Sequence, residues 1–133
     1  MLSADNDDGT AANVWRAYDA SGMPRSWGLH WNAVPWYVGV PGKIRAATGA
    51  DVVAGRPWLA RLIDLLPELR VVLTLGNRAG DAVRPERAVL EGRGITLVTA
   101  PHPSQRLYNS TKGVANAKVE AAFAEAVRIA EAP

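Results

Sequence analysis

The sequence predicts an α/β protein of three layers, a short parallel sheet with helices on both faces. Two observations carry that prediction. Apolar runs that read as strands alternate with segments whose apolar residues recur at helical spacing, which calls for crossover helices and parallel strands. The run "RVVLTLG", Arg70 to Gly76, is continuously apolar rather than alternating, the pattern of a strand covered on both faces. A chain of 133 residues suits a single domain over its whole length.

The elements follow in order. "TAANVWRAYDASG" predicts a first helix capped by Thr10, with Ala11, Val14, Trp15 and Tyr18 at helical spacing and a stop at Gly22. "SWGLHWNAVPW" predicts a short strand from Trp27 to Trp31, because Pro35 cannot continue a central ladder; Asn32 then stands at its C-terminal end. From Tyr37 to Arg56 the glycine content and lack of period predict a surface loop with one helical turn near Lys43 to Thr48. "PWLARLIDLLPEL" predicts a packing helix with Pro57 at its first position and Leu59, Leu62, Ile63 and Leu66 on one face. After the strand that Gly76 closes, "NRAGDAVRP" predicts a helix and Ile95 to Thr99 a further strand. The C-terminal helix carries Val119, Ala122, Phe123, Ala126, Val127 and Ala130 on its inner face.

Composition excludes several chemistries. There is no cysteine, so disulfides, thiolate ligands and cysteine nucleophiles are out, and two histidines argue against a protein-built zinc site. No apolar run reaches the length of a membrane span, and "MLSADNDDGTAA" lacks the features of a signal peptide, so a cytoplasmic protein without a membrane partner is expected. The net charge of +2 is uneven: residues 1 to 20 carry a balance of −3, leaving +5 for the rest, which is able to face a polyanion or simply be solvated. Neither "GxGxxG" nor a P-loop occurs, so a generic nucleotide-binding fold has no support.

Ligands of parallel sheets bind beyond the C-terminal strand ends, and Asn32, Gly76 and His102 all follow such ends. Pro101 and Pro103 stiffen the loop holding His102, which suits a catalytic group; a histidine that bonds a nearby carbonyl is the alternative. The planar amide of Asn32 matches a uracil edge, accepting from N3–H and donating to O4, whereas cytosine presents the opposite pattern. An asparagine that merely ends a strand in a turn is the alternative. Most of the five tryptophans are expected in the core, with only Trp36 and its neighbour Tyr37 near the pocket.

Three motifs, "WNAVPWY", "VVLTLGNRAG" and "PHPSQRLYN", resemble the uracil-DNA glycosylase superfamily, especially its short bacterial members, in order and in spacing over nearly the whole chain. The resemblance implies a glycosylase-like domain spanning residues 1–133 that flips a deaminated base out of DNA and hydrolyses its N-glycosidic bond with no metal or cofactor. It implies His102 as the catalytic group that stabilises the departing base and Asn32, Trp36 and Gly76 as substrate-binding residues. Arg106 or Leu107 would be the wedge that fills the vacated space. Ser104, Ser110, Thr111, Lys112 and, in the long loop, Lys43 and Arg45 would contact backbone phosphates. Uracil-containing DNA, single- or double-stranded, is the implied partner, and a monomer is expected unless exposed strand edges drive association.

The sequence departs from that family at its start. The first motif, of the "GQDPY", "GEAPG" or "DPGP" kind, has no counterpart; "LSADNDDGTAAN" resembles the segment that follows it. The fold is therefore expected to lack the first strand and the carboxylate that positions water, and activity to be weak or absent. Asp5, Asn6, Asp7 and Asp8 are either a substitute at the pocket mouth or an acidic helix start, and Leu2 stands near the usual base-stacking aromatic.

Overall fold

Helix α1 (Gly9–Ser21) begins two residues earlier than expected because Asp8, not Thr10, caps it: the Asp8 carboxylate accepts from the Ala11 amide at 2.8 Å. Gly22 ends it in the left-handed conformation (φ 69°), where a side chain would be strained. The computed structural model describes residues 4–133, so Leu2 lies outside the described residues.

A 3-10 turn over Arg25–Trp27 follows, and the expected strand from Trp27 to Trp31 does not form. The segment is nonetheless extended, with alternating sides. Gly28 and His30 turn toward Tyr18, while Trp27, Leu29 and Trp31 are 50%, 59% and 43% exposed. What is missing is a neighbour, since among the described residues the central sheet contains only two strands, which pair with each other.

The segment expected as a loop holds more structure than its glycines suggest. Strands β1 (Gly39–Val40) and β2 (Lys43–Ile44) form a small antiparallel hairpin. Helix α2 (Gly49–Asp64) then starts eight residues before Pro57, because Thr48 and Asp51 form a reciprocal capping box. Pro57 therefore lies inside the helix rather than at its first position. Arg45 grips Asp51 with two guanidinium bonds, of 2.5 and 2.9 Å, which hold that carboxyl well below the usual carboxylate range.

Strand β3 (Val71–Leu75) runs parallel to β4 (Thr96–Ala100), one residue later than expected, in the register Val71 opposite Thr96 to Leu75 opposite Ala100. Between them lie α3 (Asn77–Val83), a 3-10 turn over Arg84–Glu86 and α4 (Arg87–Gly92), making one crossover unit. Helices α5 (Gln105–Ser110) and α6 (Val114–Glu131) complete the chain.

Side-chain alternation along the strands divides the interior into two cores. Leu73, Leu75 and Ala100 pack against Val14, Tyr18, Tyr108, Val119 and Phe123 of α1, α5 and α6. On the other face Val72 and Leu97 pack against Val52, Leu59 and Ile63 of α2, Ala82 and Val83 of α3 and Leu90 of α4. This is the expected three-layer arrangement. The strands are only half-buried along most of their length, not sealed on both faces as the apolar run implied. Among the described residues, each strand of this pair has an outer edge with no neighbouring strand.

The tryptophans correct a second expectation. All five are at least 37% exposed. Ala11 and Ala17 of α1 and Ala115, Ala122 and Ala126 of α6 are buried instead, and such small side chains let helices approach too closely to house an indole. Two arginines join the layers: Arg70 donates to the Ala130 and Ala132 carbonyls at the end of α6, and Arg93 to the Ile63 and Leu66 carbonyls at the end of α2. Each sets a positive charge against the carbonyl end of a helix. Among the described residues, no helix is long and apolar enough to cross a membrane.

Candidate functional site

The C-terminal ends of β3 and β4 bring Gly76 and His102 together. Gly76 donates its N–H to the Ala100 carbonyl at 2.9 Å, extending the ladder one step beyond β3, and then turns at φ 94° into α3. A Cβ on Gly76 would stand 3.0 Å from the Cβ of His102 and 3.5 Å from its Cδ2. Glycine is required here twice over, by the backbone angle and by the closeness of the histidine.

The loop that carries His102 is held from beneath. Pro103 is fully buried, and its carbonyl accepts from the Asn13 side chain at 2.9 Å, a contact between residues 90 apart in sequence. Asn13 is itself 1% exposed and accepts from Arg16 at 2.5 Å. A buried amide bonded to a loop carbonyl fixes the loop height over α1. Asn13 was not singled out from sequence; the available signal was an amide between Ala11 and Val14 on the inner face of α1.

His102 stands outward on this support. The atoms around its ring remove water from it and push its pKa below the ordinary histidine value, which favours the neutral imidazole. A neutral imidazole still carries one N–H donor.

The remaining candidates are spread around this pair. Ser104 caps α5, its hydroxyl oxygen accepting from the Leu107 amide at 3.2 Å, which leaves its O–H available as a donor. Ser110 and Thr111 donate their hydroxyls to the Leu107 carbonyl. Arg106 is exposed, whereas Leu107 packs against the first core. Lys112 is exposed at a positive φ of 48°, just after α5.

Asn32 is half-buried and held on both sides. Before it, His30 shares a 2.8 Å hydrogen bond with the Tyr18 hydroxyl; after it, Ala33 and Val34 pack on the second core. The Ala33 carbonyl lies so near Gly55 of α2 that a Cβ there would come within 2.3 Å of it. Trp36 is 41% exposed and Lys43 sits on the exposed hairpin. Among the described residues, no hydrogen bond or ring contact links Asn32, Trp36 or Lys43 to the Gly76 and His102 pair.

The Tyr18 cluster is a second feature that sequence reading missed. Arg25 lies 5.7 Å over the Tyr18 ring, donates to the Gly28 carbonyl at 2.8 Å and pairs with Asp5 at 3.0 Å. Burial, and then the Arg25 charge, push the His30 pKa below its ordinary value. The acidic start is thus partly engaged: Asp8 in capping and Asp5 in this ion pair. Among the described residues no group of three or more histidine, cysteine or acidic side chains is placed to hold a metal.

The Uracil DNA glycosylase superfamily model matches residues 8–130 of the chain. No curated protein and no solved structure matches it.

Proposed function

Because this chain belongs to the uracil DNA glycosylase superfamily, we propose that its function is excision of uracil from DNA, with His102 at the reaction centre. The observation that carries the reading is the juxtaposition of Gly76 and His102 where two parallel strands end, on a loop pinned by the buried Asn13. DNA is the substrate that superfamily membership implies.

In the proposed reaction the C1′–N1 bond breaks and its electron pair passes to the departing base, leaving an oxocarbenium-like sugar. Water adds to C1′, and the proton it loses balances the base, so the products are uracil and an abasic site. Negative charge grows on O2 as the bond lengthens. The neutral imidazole of His102 donates a hydrogen bond that strengthens with that charge, and so lowers the barrier. The Asn32 amide selects uracil over cytosine by donor and acceptor pattern. Arg106 is the wedge better supported, because it is exposed while Leu107 is committed to the core. Ser104 and Lys112 meet the strand backbone beside it.

A second reading is favoured by one specific observation. Asp5 pairs with Arg25 and Asp8 caps α1, so these two carboxylates of the acidic start are engaged elsewhere than at the His102 loop. In that reading the same domain binds DNA or flipped bases without cleaving them.

The test is incubation with a labelled single-stranded oligonucleotide containing one uracil, followed by alkaline cleavage of abasic sites. Slow strand cleavage, lost in His102→Ala with DNA affinity kept, is expected. Cleavage unchanged in His102→Ala would refute the role of His102. Salt-dependent DNA binding without any product would establish the binding module instead.

A further inference from the structure

A cavity of about 610 Å³ opens beside α3 at the C-terminal ends of β3 and β4, and its lining is not that of a packing gap. Thr74 and Thr99, opposite each other in the strand register, both line it. Two residues earlier the same face carries Val72 opposite Leu97, both packed in the second core. Over that short step the face changes from apolar to hydroxyl. Thr74 is 3% exposed, and its side chain has no hydrogen-bond partner among the described residues. Its hydroxyl is not among the buried side-chain atoms without a partner, so it stays open to the cavity, and a valine of much the same size would meet the packing need alone.

The rest of the lining supplies charge. Asn77, Asp81 and Arg84 come from α3 and the turn after it, and Lys118 reaches in from α6. Arg84 is bonded to Asp81, so the single acid in the lining is already answered. Lys118 is in no ion pair among the described residues. Two hydroxyls, a side-chain amide and an uncompensated ammonium make a surplus of donors with a net positive charge.

We propose that this cavity is a phosphate-binding site, with Lys118 as the point charge and Thr74, Thr99 and Asn77 as donors to the phosphate oxygens. Gly76 and Pro101 also line it, so it adjoins the loop of His102 without including that residue. The phosphate belongs either to a nucleic-acid strand or to a free phosphate monoester. The site needs no uracil and stands independently of base excision.

Amide resonances of the full chain, followed by two-dimensional NMR, test this. Inorganic phosphate, added at an ionic strength held constant with chloride, is expected to shift the amides of Asn77, Gly80 and Thr99 to saturation. Lys118→Met should raise the apparent Kd about tenfold, the loss of one charge-assisted hydrogen bond. Thr74→Val should raise it several-fold while leaving the melting temperature at or above that of the parent. Thymidine should shift none of these amides. A thymidine oligonucleotide that acts at lower concentration than thymidine monophosphate identifies the strand as the source; the reverse order identifies a free monoester. The proposal is overturned if phosphate shifts none of these amides, or if both variants titrate like the parent. Failure here leaves the excision assay untouched, and failure of excision leaves this titration untouched.

Discussion

Gly28 offers a test of the structure in which the sign of the effect is decisive. Its backbone lies at φ −96°, ψ 117°, an ordinary extended conformation that alanine adopts without strain. On backbone grounds alone Gly28→Ala would stabilise the protein by roughly 0.4–1 kcal/mol, through a less disordered unfolded chain. The tertiary structure reverses this. A Cβ at position 28 would stand 1.8 Å from the Tyr18 hydroxyl and 3.0 Å from Cζ. Tyr18 has little room to retreat, being 3% exposed, edge-on to Phe123 at 5.3 Å and covered by Arg25. Moving its hydroxyl costs the bond to His30, about 1 kcal/mol, plus overpacking of about 1–3 kcal/mol. These come to about 2–4 kcal/mol, so even after the backbone gain Gly28→Ala is expected to destabilise, by roughly 1–3.5 kcal/mol. Tyr18→Phe removes the offending atom, at a cost of about 1 kcal/mol for the lost bond. In that background Gly28→Ala meets only the ring carbon and should cost under about 1 kcal/mol, a coupling of more than 1 kcal/mol between the two sites. Urea unfolding of the four proteins, followed by tryptophan fluorescence, measures it. Additive effects, or a stabilising Gly28→Ala in the parent, would refute the packing of this segment.

Three further outcomes are expected. Gly76→Ala should lose about 1–3 kcal/mol of stability from the positive φ alone, and displace His102; calorimetry alongside the His102 resonances checks both. Asn13→Ala removes the donor to the Pro103 carbonyl and should destabilise by about 1–3 kcal/mol, with faster exchange of the His102 and Ser104 amides, the two that the loop possesses. His30 and His102 both have pKa values pushed down by burial, so the unfolded chain binds protons more readily than the folded one. Stability should accordingly fall as pH drops below about 6.5, until the lower folded values are passed, and not on the alkaline side. Melting temperatures measured from pH 8 to 5 should show this, and the double variant His30→Gln, His102→Gln should flatten the curve.

The contrast between what could be read in advance and what could not has a consistent physical basis. Period and caps belong to neighbouring residues, so "RVVLTLG" disclosed β3, the apolar stripe around Phe123 disclosed α6, and the proline-framed "PHPS" disclosed the loop of His102. Local errors came from local competition: the Thr48 and Asp51 capping box outweighed Pro57 as a start for α2, and Asp8 outweighed Thr10 for α1.

Other features depend on partners far away in sequence. A strand from Trp27 to Trp31 was expected, but a strand requires a neighbour for its amides, and among the described residues the central sheet supplies none to this segment. Burial of tryptophan depends on the space between layers, which buried alanines set narrow. The sequence by itself determined the layer architecture, the family and the identity of His102 and Gly76 as candidates. Only the tertiary structure decided that these two touch, that Asn13 pins their loop, that Gly28 makes room for Tyr18, and that Thr74, Thr99 and Lys118 meet in one cavity. Contacts between residues tens of positions apart follow from how closed layers fill volume, and no local pattern encodes that.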